Sequence, residues 1–193
     1  MPQLLIDQIS SPIGDIFLVT KNQELCALDF SDSETRLLHL LQKRFGQVKL
    51  SSVSNPEGFS QKLLAYFEGN YSILDKIPVN LGGTAFQQLV WTTLQTIQPG
   101  ATISYGELAT KIGKPNAARA VGLANSLNPI AIVIPCHRVV GTKTLTGYAG
   151  GLERKRWLLS HEGVNLTNFS ESSSFNKNSL QTEHLQLNLA MNL

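Results

Sequence analysis

SYGELATKIGKPNAARAVGLANSL, residues 104–127, is the stretch on which the fold turns. Ser104 followed three residues later by Glu107 is a capping box, which opens a helix. That helix is expected to run to about Ile112, with Gly113 ending it. Pro115 and Asn116 then restart the chain into AARAVGLANSL, residues 117–127. Two short helices about a tight turn make a helix-turn-helix candidate. The second helix is unusual in composition. Ala117, Ala118, Ala120, Gly122 and Ala124 make much of its surface small, with Arg119 as the one long projecting side chain. Small residues let another body approach, either a neighbouring helix or a nucleic-acid groove. The pattern alone favours helix packing.

Upstream, Phe86, Leu89, Val90, Leu94 and Ile97 mark one face of a further helix, stopped by Pro99-Gly100. Downstream, Asn128-Pro129 leads into IAIVI (130–134), an apolar run that must be buried and that delivers Pro135-Cys136-His137-Arg138. A Gly/Thr-rich loop follows over Gly141–Gly151, then a last helix over Glu153–Leu159. The first part of the chain reads as mixed α and β. IFLVT (16–20) and LCALDF (25–30) are two strands about a tight turn. Ser33–Phe45 and Phe59–Phe67 are amphipathic helices, Ser51–Gly58 is a loop, and Asn80–Thr84 is the best linker. The expected division is an α/β unit over 1–80, a mainly helical unit over 81–164, and an Asn/Ser-rich tail over 165–193 without fixed structure. The tail ends at 185–193 in an apolar/polar alternation with the period of a strand.

Composition narrows the function. The 193 residues are 42% hydrophobic and 16% charged, which suits a packed core and excludes disorder throughout. No run approaches the roughly 20 apolar residues of a membrane helix, and MPQLLIDQIS is not built as a signal peptide. The two cysteines, Cys26 and Cys136, make no disulfide framework, which suits a cytoplasmic protein. The net charge of +2 is unevenly spread: 7 Lys/Arg against 9 Asp/Glu over 1–84, but 8 against 3 over 85–165. A basic segment carrying a helix-turn-helix pattern points to an anionic partner.

Cys136 follows a buried run and a proline, and His137 and Arg138 flank it. Positive neighbours favour a thiolate, and an imidazole can take its proton. The alternative is a buried structural cysteine with an incidental histidine. Adjacent side chains tend to point apart, so a Cys136–His137 relay needs a bridging water. Glu162 could orient His137, so residue types alone also allow a cysteine hydrolase acting on a small molecule. The scattered Cys and His residues do not make a zinc site.

The run from Asn128 to Val140, NPIAIVIPCHRVV, closely resembles the active-site region of the O6-alkylguanine-DNA alkyltransferases, bacterial Ogt type. FQQLVW (86–91), ISYGELA (103–109), AARAVG (117–122), TGYAGG (146–151) and RWLLSHEG (156–163) extend the likeness from Phe86 to Gly163. SPIG and Tyr66-Phe67-Glu68-Gly69 carry it more loosely into the first part. The resemblance implies a ribonuclease-H-like α/β first domain and a helical second domain with a winged helix-turn-helix. It implies irreversible, single-turnover transfer of an alkyl group from O6-alkylguanine, and from O4-alkylthymine as a further substrate, to Cys136. His137 would deprotonate Cys136 through a water, Glu162 would hold His137, Asn128 would fix the network, and Tyr105 would protonate the departing guanine. The partner would be double-stranded DNA, bound by a monomer through the minor groove with the base flipped out. Arg119 would fill the gap, while Ala118, Ala120 and Gly122 suit the narrow groove. Val139, Tyr148 and Ala149 would line the base pocket, Thr142 would touch phosphate, and Ala131 at the pocket edge would leave room for larger groups. No cofactor or metal is implied. Recognition of alkylated DNA without chemistry is the second reading, against which Cys136, His137, Glu162 and Tyr105 all stand.

Overall fold

The computed structural model describes residues 2–169. β1 (Gln3–Ile9), β2 (Ile16–Lys21) and β3 (Glu24–Phe30) form an antiparallel meander. Asn22 and Gln23, at φ 52° and 65°, make the turn between β2 and β3. Left-handed residues at both central positions match the twist of the flanking strands. α1 (Glu34–Phe45) crosses over, and β4 (Lys49–Ser52) returns parallel to β1, giving the order β3-β2-β1-β4. Leu37 and Leu41 of α1 pack on Leu4, Val19, Cys26 and Ala27 on one face of this sheet. Ile16, Leu18, Leu25, Leu28 and Phe30 on the other face join the core of the second half. β3 is therefore covered on both faces, and reads as a near-continuous apolar run for that reason.

Two strands of this sheet are additions to the sequence reading. β1 had no strand assignment, and the loop expected over 51–58 begins only after Ser52. Lys49-Leu50-Ser51-Ser52 has weak strand chemistry of its own. It is a strand because β1 supplies its backbone partners, a tertiary effect that outweighs propensity.

Beyond β4 the structure is mainly helical. α2 (Phe59–Phe67) and a 3-10 turn (Tyr71–Lys76) lead across the linker to α3 (Ala85–Leu94). The Ser104 side chain accepts from the Glu107 amide at 3.1 Å, and Glu107 accepts from the Ser104 amide at 2.8 Å, so α4 (Tyr105–Lys111) opens as expected. Gly113, at φ 72°, lies just beyond its end. α5 (Ala118–Ser126) packs on α3 and α4, and Trp91 Nε1 donates to the Ala124 carbonyl at 2.8 Å. β5 (Ile103–Ser104) pairs in parallel with β6 (Val139–Val140), which brings the start of α4 beside the chain leaving Cys136. α6 (Leu152–His161) closes the unit.

The buried run 130–134 is not a strand. Pro129 O accepts from Leu28 N and Ala131 N donates to Leu28 O, both at 2.9 Å, so the run hangs on the edge of β3 at a single bridge, Leu28 to Ile130. It then folds back. Ile132 lies at φ 69°, and Val133 N donates to Ala131 O at 2.8 Å. That is a three-residue γ-turn, strained for a β-branched residue and held by the packing around it. The two halves are further stitched by Arg36, which pairs with Asp29 and donates to Ser126 O at 2.9 Å and Asn128 O at 3.0 Å.

The expectation of an unstructured tail from Asn165 is corrected at its start. Leu166–Asn168 form a 3-10 turn, and Leu166 and Phe169 pack beside Val140, Leu145 and Leu159. Two apolar side chains three residues apart are enough to anchor this turn. The rest of that expectation, including the alternation at 185–193, lies outside the described residues. Among the described residues no helix is long and apolar enough to cross a membrane.

Candidate active site

Pro135, at φ −80° and ψ 62°, and a 2.7 Å bond from Cys136 N to Ile134 O form an inverse γ-turn that presents the cysteine. One asparagine holds this turn. Asn128 Nδ2 donates to Ile134 O at 2.8 Å and to Cys136 Sγ at 3.0 Å, and its Oδ1 accepts from Ile130 N at 3.0 Å. Cys136 is only 5% exposed. Burial pushes its thiol up, against the Asn128 hydrogen bond and the charges of Lys155 and Arg36. The resting sulfur is therefore a thiol, in a site already arranged for its anion.

His137 and Glu162 are both buried, with Nε2 to Oε1 at 3.0 Å. Arg138 grips the same carboxylate through Nε and Nη2, each at 2.8 Å, and the Tyr66 hydroxyl donates to Oε1 at 2.8 Å. Burial alone would raise the Glu162 carboxyl. The hydrogen bonds and charges of His137 and Arg138 outweigh it and hold the group at about 2. Burial lowers His137, against Glu162, so the ring is neutral at pH 7. A carboxylate facing Nε2 places the single ring proton there, which leaves Nδ1 as a free acceptor. Nδ1 is buried and has no hydrogen-bond partner. No direct bond joins His137 to Cys136.

Sequence reasoning passed over three residues of this site. Lys155 is fully buried in α6. Its Nζ donates to Val139 O at 2.6 Å, and burial lowers it to about 8 against the influence of Cys136. The signal was present: Lys155 stands three residues before Leu158, on the buried face of its helix. Tyr66 and Arg36 come from the first half, and nothing local in the sequence ties them to Cys136.

A cavity of about 330 Å³ opens between α4, α5 and the loop before α6, lined by Tyr105, Gly122, Asn125, Ser126, Tyr148 and Ala149 among others. Cys136 does not itself line it. Asn125 connects the two, donating from Nδ2 to Cys136 O at 3.2 Å. Arg119 and Ala120 are exposed on the outer face of α5, Ala118 and Gly122 are half-buried, and Leu123 beside them is 63% exposed. A Cβ at Gly122 would meet the Tyr105 ring at an ordinary 3.7 Å, so local packing does not demand glycine there. Thr142 is exposed in the loop after β6. Val139 is fully buried and does not line the cavity, and its carbonyl is taken by Lys155. Ala131 is buried and bonded to β3 instead of standing at the cavity edge. A second cavity, of about 380 Å³, lies behind Pro135 and Arg138 and touches neither Cys136 nor His137.

Residues 5–81 match the model of the 6-O-methylguanine DNA methyltransferase ribonuclease-like domain. Residues 85–164 match that of the 6-O-methylguanine DNA methyltransferase DNA-binding domain. The chain is 48% identical over 168 residues to the methylated-DNA–protein-cysteine methyltransferase of Shigella flexneri, covering 84% of this chain and 98% of that protein. The chain belongs to the 6-O-methylguanine DNA methyltransferase family. The structure of Mycobacterium tuberculosis OGT in complex with DNA is similar at a TM-score of 0.68 and 41% identity, over 82% of this chain and 92% of that one. The O6-methylguanine-DNA methyltransferase of the archaeon Pyrococcus kodakaraensis reaches a TM-score of 0.61 at 26% identity, over 83% and 99%. The two-domain fold of the family is thus the fold of this chain. Its site draws on both parts: Cys136, His137, Lys155 and Glu162 lie in the DNA-binding match, and Arg36 and Tyr66 in the ribonuclease-like one.

Proposed function

We propose that this chain repairs DNA by transferring the alkyl group of an O6-alkylguanine, with O4-alkylthymine as a further substrate, irreversibly to Cys136. The observation that carries this reading is a buried thiol held by Asn128, next to a neutral histidine whose free Nδ1 is set by Glu162. His137 takes the Cys136 proton through a water, and Glu162 stabilises the imidazolium that results. The thiolate attacks the alkyl carbon in line with O6. An S–C bond forms and the C–O6 bond breaks. Tyr105 delivers a proton to the departing guanine, so that overall one proton moves from sulfur to base. Lys155 favours the thiolate by its charge and holds the Val139 carbonyl in place.

The reacting carbon is unreachable within a duplex, so the base is extruded into the cavity beside Tyr148 and Ala149. The protein acts as a monomer from the minor groove. There Ala118, Ala120 and Gly122 allow close approach and Arg119 takes the vacated space in the stack. Thr142 reaches a phosphate. Residues 1–80 and 81–164 are the two domains of this reading.

Stoichiometry tests it. Duplex carrying O6-methylguanine, added in excess, should be repaired in a burst equal to the protein present, with no turnover afterwards. Continued turnover would indicate a hydrolase-like enzyme. Binding without repair would indicate a damage-recognition protein.

A further inference from the structure

Among the described residues, Glu162 Oε1 takes three donors. The Tyr66 hydroxyl and Arg138 Nη2 lie at 2.8 Å and His137 Nε2 at 3.0 Å. Oε2 takes Arg138 Nε, at 2.8 Å. A carboxylate oxygen offers about two lone-pair sites, so three donors compete for Oε1, and the histidine holds the longest of the three bonds.

Tyr66 reaches this oxygen from α2, in the part of the chain that matches the ribonuclease-like domain, and it is fully buried. Consecutive residues fix it at both ends. Its carbonyl accepts from His161 Nε2 at 2.9 Å, and its hydroxyl donates to Glu162. The rings of Phe67, Tyr71 and His161 meet it edge-on, with centroids at 5.3, 5.8 and 5.4 Å. The Tyr71 hydroxyl in turn donates to the His161 carbonyl. The phenol is therefore held still, and its one donor points at the oxygen that faces His137.

A hydrogen bond to a carboxylate stabilises its charge and weakens its pull on other donors. The charged groups that act on His137 are Glu162, which favours its protonation, and Arg138 and Lys155, which oppose it. Tyr66 is faced by Glu162, Arg138 and Tyr148, and burial together with Glu162 keeps its phenol protonated. It is thus a neutral donor that acts on His137 through Glu162.

We propose that Tyr66 is a positioning residue for the transfer, its hydroxyl drawing on Glu162 Oε1 so that His137 stays a neutral base with a free Nδ1. Without that donor Oε1 is left to Arg138 and His137, and the imidazolium gains stability. A ring that is already protonated cannot take the Cys136 proton. The inference rests on the alkyl-transfer reading for its consequence and on the geometry for its cause. It makes the ribonuclease-like part of the chain a contributor to the basicity of a histidine in the DNA-binding part.

The test has two readouts. The first is NMR of isotope-labelled histidine in the free protein, which follows the His137 ring as pH is varied. Tyr66→Phe keeps the ring and loses the donor, and the His137 midpoint should rise by about one pH unit. A ring-fluorinated tyrosine at position 66, whose more acidic phenol donates more strongly, should move the midpoint down. The second readout is single-turnover transfer from a duplex carrying O6-methylguanine. Tyr66→Phe should be about tenfold slower on the acid limb of the pH profile and within about twofold of the wild-type protein above it. A midpoint unmoved by both changes, or a rate loss equal at every pH, would overturn the proposal and leave Tyr66 a packing residue. If Tyr66→Phe does not fold, the fluorinated protein decides alone. A His137 midpoint that responds to Tyr66 in a protein that accepts no methyl group would bring down the alkyl-transfer reading and leave the coupling standing.

Discussion

Cys26 and Cys136 are the two cysteines among the described residues, and the structure surrounds them differently. Cys26 lies within a strand and Cys136 follows an apolar run, and both are buried. Burial pushes both thiols up, Cys26 to about 11. Cys26 sits between the sheet and α1 and donates to Val19 O at 3.3 Å. Cys136 instead accepts from an amide, neighbours a histidine with a free nitrogen, and lies within the field of a buried lysine. Burial does not separate the two thiols. On the function proposed above, Cys136 differs by having groups beside it that would receive its proton and stabilise its anion.

That contrast can be broken by removing those groups one at a time. His137→Phe should make Cys136 resemble Cys26. The single-turnover rate on methylated duplex is expected to fall by about 10²–10⁴, the usual worth of a general base. Glu162→Gln leaves Arg138 buried without its counter-charge and should cost about 3–5 kcal/mol in chemical denaturation. The sign of its pH dependence follows from a carboxyl lowered from 4.5 to about 2. Its contribution is complete above about pH 4.5 and is lost as pH falls toward 2. The wild-type protein should show this acid loss, and the variant should lack that part of it.

Lys155 sharpens the comparison further. With the group at about 8, the transfer rate should decline above about pH 8 as the charge facing the thiolate disappears. Lys155→Met should be slow at every pH and show no such decline. A wild-type rate rising steadily to pH 10 would remove Lys155 from the reaction. Cys26→Ala should have the smallest effect: a stability change of about 1 kcal/mol and unchanged methyl uptake.

How much of this was legible depended on whether the cause was local. The Ser104–Glu107 capping box sets the start of α4 within four residues, and it could be read directly. The three helices between Ala85 and Ser126 were legible for the same reason. β4 was not, because its partner β1 lies more than forty residues away and its own residues favour no strand. The turn at Ile132 was hidden because an apolar run is ordinarily a strand. The edge of β3, the Asn128 side chain and the packing of the surrounding core make it fold back. Tyr66 and Arg36 reach the site from the other domain, and no spacing within one segment could reveal that.

The most direct test is the intact mass of the protein after mixing with duplex DNA carrying one O6-methylguanine, with Cys136→Ala and Cys26→Ala run alongside. One added methyl group on the wild-type protein and on Cys26→Ala, and none on Cys136→Ala, is the expected result. A methyl group on Cys136→Ala, or none on a wild-type protein that binds the duplex, would contradict the assignment of Cys136 as the acceptor.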